Sequence, residues 1–139
     1  MTRRIWLLLV PGFAACRRKA PTADALLPAT LSSPPWKRTQ LREPVLDSLP
    51  PEMPRASVRR VVEADYSGPA SAQVTLFDLV SSAAALDLAQ KWRPTPDTVF
   101  FYKGNYFVLV QWQNFDRQSL TGLIRALEQH LDPFAKASA

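Results

Sequence analysis

Hydrophobic and polar positions alternate with a period of two over residues 58–66, where Val58, Val62, Ala64 and Tyr66 fall on one face. That pattern predicts a strand. Ser67, Gly68 and Pro69 turn the chain, and residues 73–80 (QVTLFDLV) are β-rich and pair back as a hairpin. The period then lengthens. Ser81 or Ser82 caps a helix running to Trp92, with Ala85, Leu88, Ala89 and Trp92 on one face and Pro94 and Pro96 ending it. Residues 98–103 and 106–112 flank Gly104-Asn105, a two-residue turn with glycine first, as type II′ requires. This register sets Tyr102 opposite Phe107, Phe101 opposite Val108 and Phe100 opposite Leu109. Asp116 caps a last helix whose apolar stripe is Leu120, Leu123, Ile124, Leu127 and Leu131, and Pro133 follows its end.

Upstream of residue 58 the pattern is weaker. Residues 36–41 have β character and predict an additional first strand. Pro44, Pro50, Pro51 and Pro54 make residues 42–57 a loop with at most one short helical turn, around 45–49. Residues 16–35 read as a Pro-rich linker in which Leu26, Leu27 and Leu31 are able to dock on the domain. The expected fold is α+β: an antiparallel sheet of two β-hairpins in ββαββα order, with one extra N-terminal strand possible and two helices packed on one face. The expected division is a signal over 1–15, the linker over 16–35, a single domain over 36–134 and a tail over 135–139.

The N-terminus has its own pattern. Arg3 and Arg4 precede an apolar run from Ile5 to Val10, which continues through Pro11, Gly12 and Phe13 to Ala14-Ala15-Cys16. The apolar stretch is roughly ten residues, against the ~20 a membrane-spanning helix needs. A basic start, a short apolar core and small residues before a boundary predict a secretory signal. Phe13-Ala14-Ala15-Cys16 resembles the lipobox of bacterial lipoproteins, with Phe13 where that family usually has leucine. The resemblance implies cleavage after Ala15, lipid on Cys16 and a bilayer anchor. Acyl chains contribute about 0.8 kcal/mol per buried CH₂, so several chains hold durably. Arg17 occupies the place of a retaining aspartate, which by the same resemblance favours the outer membrane over the cytoplasmic membrane. Cleavage without lipidation, an uncleaved anchor and a wrongly placed start fit the same residues, and the cations Arg17, Arg18 and Lys19 oppose translocation.

Composition narrows the chemistry. The 139 residues suit one domain able to bury a core without disulfides or metal. There are 13 prolines and 4 glycines, and the prolines crowd the first half, which favours an extended, stiff segment there. The formal net charge is +5, but its cations are scattered or sit beside Cys16, so lipid headgroups explain them better than nucleic acid does. The single cysteine excludes an intramolecular disulfide and a cysteine zinc site. The isolated glycines write no dinucleotide or phosphate-binding loop, so no cofactor is expected. His130, the only histidine, reads as a surface residue interacting with the helix dipole. Glu63, Asp65 and Asp78 lie on adjacent predicted strands, Glu63 and Asp65 on one face. They would suit a carboxylate-based enzyme or weak cation site, but a solvated strand face is the favoured reading.

The aromatic hairpin stands out. Phe100, Phe101, Tyr102, Tyr106, Phe107 and Trp112 make both of its faces apolar, so either the second face is covered or it binds a partner, a second copy, lipid or glycan. Phe100, Tyr102, Phe107 and Trp112 are the candidate interaction surface. The chain from Leu26 to Leu131 also resembles an uncharacterised bacterial family of small exported or lipid-anchored proteins. The residues concerned are Leu27-Pro28, Trp36-Lys37-Arg38, Glu63-Ala64-Asp65-Tyr66 and the run from Phe101 to Val108 around Lys103-Gly104-Asn105-Tyr106. That resemblance implies an envelope location and this fold, and no activity. The reading is a non-catalytic, membrane-anchored envelope module binding a protein partner or itself through the sheet. Its rivals are an enzyme using Glu63, Asp65 and Asp78, and a structural oligomer formed through the aromatic hairpin.

Overall fold

A computed structural model describes residues 20–31, 35–93, 95–113 and 117–137. The signal expected over 1–15, Cys16 and the cap expected at Asp116 lie outside the described residues. The elements are α1 (Ala23–Leu26), β1 (Thr30–Leu31), β2 (Trp36–Arg42), β3 (Val58–Ser67), β4 (Ser71–Leu79), α2 (Ser82–Lys91), β5 (Thr98–Lys103), β6 (Tyr106–Gln113) and α3 (Arg117–Ala137). Two 3₁₀ turns, Leu46–Ser48 and Arg55–Ser57, punctuate the proline-rich loop, one more than expected. The six strands form one antiparallel sheet in the order β1-β2-β3-β4-β6-β5. The fold is α+β.

The local signals explain the hairpins. Gly104 adopts φ 57°, the left-handed value that the first position of a two-residue primed turn demands. Around it the register is the expected one, Tyr102 opposite Phe107 and Phe100 opposite Leu109. In the β3–β4 turn the constraint is space: a Cβ on Gly68 would lie 2.9 Å from the Pro35 carbonyl oxygen and 3.1 Å from the Trp36 ring. Ser81 Oγ accepts the Ala84 N–H at 3.1 Å and so caps α2.

The helices do not share one face. α3 packs Leu123, Leu127 and Leu131 on Val62, Ala64, Tyr66, Val74, Leu76, Val108 and Val110. α2 packs Ala85 and Leu88 on Val58, Val61, Phe77, Leu79 and Phe107, on the opposite side. The cause is in β4 and β6, where both alternating sets are apolar near Leu76-Phe77 and Phe107-Val108, so both faces need cover. The expectation of two helices on one face is therefore corrected to a sheet between two helical layers; β2 stands where the extra N-terminal strand was allowed, and α1 and β1 are additional to the expected order.

Val58 is a second correction. It belongs with Val61 under α2, not with Val62, Ala64 and Tyr66, because the β3–β4 register shifts between Val58 and Arg60. A bulge adds one residue and so exchanges the faces.

Part of the proline-rich segment is packed. Leu26 and Leu27 are fully buried and Leu31 nearly so, beneath α3 and beside Trp36. Burial contributes about 2 kcal/mol per leucine, against about 1–2 kcal/mol per residue for ordering the backbone. Three leucines do not by themselves offset the ordering of the whole segment over residues 20–31, so the polar ties contribute to the docking. Arg38 Nη1 donates to the Leu27 carbonyl at 2.5 Å, Arg38 Nη2 to Asp24 at 2.7 Å, and Tyr66 Oη to the Pro28 carbonyl at 2.8 Å. Burial pushes the Tyr66 hydroxyl pKa well above its usual value, so it remains a donor.

α3 also runs past its expected end, through Pro133 to Ala137. Proline removes one N–H and leaves the carbonyl four residues back without its helical partner. Here that carbonyl belongs to Gln129, and Gln129 and Pro133 are both exposed to water. Ala135 on the core and Asp132, ion-paired with Lys103 at 3.4 Å and Lys136 at 2.9 Å, hold the final turn in place.

Candidate functional site

Whereas α3 and α1 cover one face of the sheet, α2 covers only one end of the other. Residues opposite one another on antiparallel strands point to the same face. The register therefore lays rows across the open face. The row under α2 is Val61, Phe77, Phe107 and Tyr102. Next comes Arg42, Glu63, Thr75, Leu109 and Phe100, then Gln40, Asp65, Gln73, Gln111 and Thr98. The face grades from apolar beneath α2 to hydrogen-bonding at its far end.

Two concavities lie on this face. A groove of about 700 Å³ runs between the loop at Pro50 and Pro54 and the last turns of α2, with Leu88, Trp92 and Leu109 as its apolar lining. Met53 fixes its far wall. That side chain is buried in the cluster under α2, and its N–H donates to the Pro50 carbonyl at 3.0 Å. The Trp92 ring packs on Phe107 at 5.5 Å while also lining the groove. Glu52 and Asp87 balance Lys91 and Arg93 around the opening. Lys91 is tied to Asp87 at 3.0 Å, one helical turn back. Arg93 has no ion pair or hydrogen bond among the described residues. A shallower hollow of about 490 Å³ covers the polar end, over Thr39, Asp65, Gln73 and Gln111.

Arg42 organises that polar end. Its Nη1 and Nη2 bond both Asp65 carboxylate oxygens at 3.0 Å, and Nη2 reaches Glu63 Oε1 at 2.6 Å. Gln40 accepts from Arg42, and Gln73 donates to Glu63. Hydrogen bonds to Asp65, then to Glu63, raise the Arg42 pKa still further, so the guanidinium is permanently charged. One cation thus offsets the pair of carboxylates and holds them rigid.

Asp78 is not with them. It sits on the α3 face opposite Arg60 and Tyr106, buried, and accepts from Asn105 Nδ2 at 2.7 Å. Burial pushes its pKa up, opposed by Arg60, Arg59 and the Asn105 bond. Glu63 and Asp65 therefore meet each other and Arg42, while Asp78 faces the opposite side of the sheet. The three-carboxylate surface is not assembled. Among the described residues, no group of three or more His, Cys, Asp or Glu comes together.

The aromatic candidates separate as well. Phe107 is fully buried, its ring 5.3 Å from Phe100 and 6.3 Å from Phe77. It cannot belong to a binding surface, because α2 covers it. Phe100 is half-buried beside it, and Tyr102 is 44% exposed. Trp112 lies opposite Ala72, whose side chain belongs to the α3 face. The four residues thus divide between two faces and an edge.

His130 has a role its position on the helix does not suggest. Its Nε2 donates to the Ala25 carbonyl at 2.6 Å, and its ring lies 5.7 Å from Phe134. It joins α3 to the N-terminal segment.

The sequence pattern places Leu88 and Trp92 on one face of a helix and Pro50 and Pro54 in a loop, without bringing the two together, and gives Arg42 no role. A large aromatic closing an amphipathic helix, beside a loop rich in proline, was the available sign of the groove. Arg42 left none, since the β2–β3 register shifts between Arg38 and Gln40 and turns Arg42 to the face away from Trp36. No helix among the described residues is long and apolar enough to cross a membrane. Comparison with protein-family models, with curated proteins and with solved structures finds no match.

Proposed function

We propose that this chain is a non-catalytic binding module of the bacterial cell envelope. In this reading residues 1–15 export it, lipid on Cys16 anchors it to the cytoplasmic or outer membrane facing the periplasm, and the groove beside α2 receives a protein partner. The basic n-region, the short apolar run and Ala14-Ala15-Cys16 support the export and anchoring.

The groove carries the binding part. It combines an apolar floor of Leu88, Trp92 and Leu109, rigid proline walls and a balanced charged rim. That is the anatomy of an interface whose partner inserts an apolar anchor and surrounds it with polar contacts. The balanced rim disfavours a strongly charged ligand. The separation of Asp78 from Glu63 and Asp65 removes the constellation the enzyme alternative relied on.

The test is a photo-crosslinking residue at Lys91 on the groove rim, with a control at exposed Arg125 on α3. A discrete envelope adduct is expected from position 91 alone, lost in Arg93→Glu. Equal labelling from both positions, or none from either in folded protein, removes the groove from consideration. For the anchor, Cys16→Ala is expected to abolish palmitate labelling and membrane retention; labelling that persists refutes lipidation.

A further inference from the structure

β5 (Thr98–Lys103) is an edge of the sheet, with β6 on one side and no strand on the other. One bond sets the phase of its ladder. The Trp112 N–H donates to the Asp97 carbonyl at 3.1 Å, and this pair continues the register in which Thr98 faces Gln111. Antiparallel pairs alternate between hydrogen-bonded and non-bonded. Val99 and Phe101 therefore exchange bonds with β6, while Thr98, Phe100 and Tyr102 turn their N–H and C=O outward. The Thr98 N–H is taken by the Thr95 carbonyl at 3.1 Å. The outward groups of Phe100 and Tyr102 have no backbone partner among the described residues. α2 and α3 pack on the two faces of β5 and leave this edge open.

Edges that remain single are usually blunted by shortness, charge, proline or bulges. The opposite edge has such devices. β1 has 2 residues, and β2 beyond it carries Lys37, Arg38, Arg42 and the irregularity at Thr39. β5 reads Thr-Val-Phe-Phe-Tyr-Lys, with no proline, no bulge and one charge, Lys103, already paired to Asp132.

We propose that β5 pairs antiparallel with β5 of a second copy of this chain, about a two-fold axis at Phe101, joining two sheets into one. In this register Phe100 lies opposite Tyr102 of the second copy, and their free N–H and C=O groups exchange bonds in two symmetric sets. The register leaves the Thr98 N–H with Thr95. Phe101 meets its own copy on the α3 face, and Tyr102 meets Phe100 of the second copy on the α2 face, where aromatic cross-strand pairs stabilise a sheet. Lys103 falls opposite Val99, so like charges do not meet. This self-complementarity of hydrogen bonding, apolar contact and charge selects a second copy over a foreign strand. The inference is independent of the groove and of lipidation.

The test uses the full chain carrying Cys16→Ala, so that no shared micelle mimics association. Sedimentation over a wide concentration range should show a dimer, with slow hydrogen exchange at the Phe100 and Tyr102 amides. Tyr102→Pro removes an outward N–H that an edge strand can spare, and Tyr102→Lys adds a cation at the pairing site. Both variants should be monomeric, with far-ultraviolet circular dichroism unchanged. A wild-type monomer, or a dimer that survives Tyr102→Lys, overturns the proposal. Protection of those amides only after envelope extract is added overturns it in favour of a foreign strand.

Discussion

His130 and Ala25 lie 105 positions apart and are joined by a 2.6 Å hydrogen bond from the imidazole Nε2 to the carbonyl oxygen. The bond closes the N-terminal turn onto α3, where the buried leucines alone do not offset the ordering of their chain. His130→Ala is expected to cost about 1 kcal/mol and to accelerate hydrogen exchange at the Leu26 and Leu27 amides, which bond Thr22 and Ala23 at 3.1 and 3.0 Å. Exchange as slow as in the wild type would show that the leucines alone hold the segment.

Gly104 is fixed by two independent constraints. Its φ of 57° disfavours any side chain, and a Cβ there would lie 2.8 Å from Ala135 Cβ on α3. Gly104→Ala should lower stability by about 1–3 kcal/mol. In Ala135→Gly part of that loss should vanish, leaving the backbone strain, so the double variant loses less than the sum of the single ones in urea denaturation. Strict additivity would show that the helix moves aside.

Asp78 makes stability depend on pH in a determined direction. Burial raises its folded pKa above the ordinary 3.8, so between these values the folded state binds more protons than the unfolded chain. Stability contributed by this group is greatest at low pH and falls as pH rises through the window, once the buried carboxylate ionises. Asp132 works the opposite way. The Lys136 hydrogen bond, aided by Lys103, lowers its pKa, so its contribution is lost as pH falls. Comparing wild type with Asp78→Asn cancels that term. The urea midpoint of the wild type relative to Asp78→Asn should therefore decline from about pH 4 to pH 7. A constant difference, or one rising with pH, would contradict the burial of Asp78.

Sequence alone determined the elements whose signals are local. Gly104-Asn105 between two short β runs set the register of β5 on β6, a serine at 81 or 82 marked the start of α2, and the leucine stripe drew α3. A turn dihedral, a cap and a helical period each depend on residues a few positions away, so they are legible in one dimension. The candidate site was not. The bulges at Thr39 and Arg59 each insert one residue, and that residue sends Arg42 to the polar face and Val58 beneath α2. The docking of Leu26 and Leu27 depends on Arg38, Tyr66 and His130, and the groove on a proline loop meeting Trp92 from the far side of the chain. The burial of Phe107, the separation of Asp78 from Glu63 and Asp65, and the open edge of β5 were likewise decided in three dimensions. Alternation divides a strand into two faces, but only long-range packing chooses which face is covered, and by what.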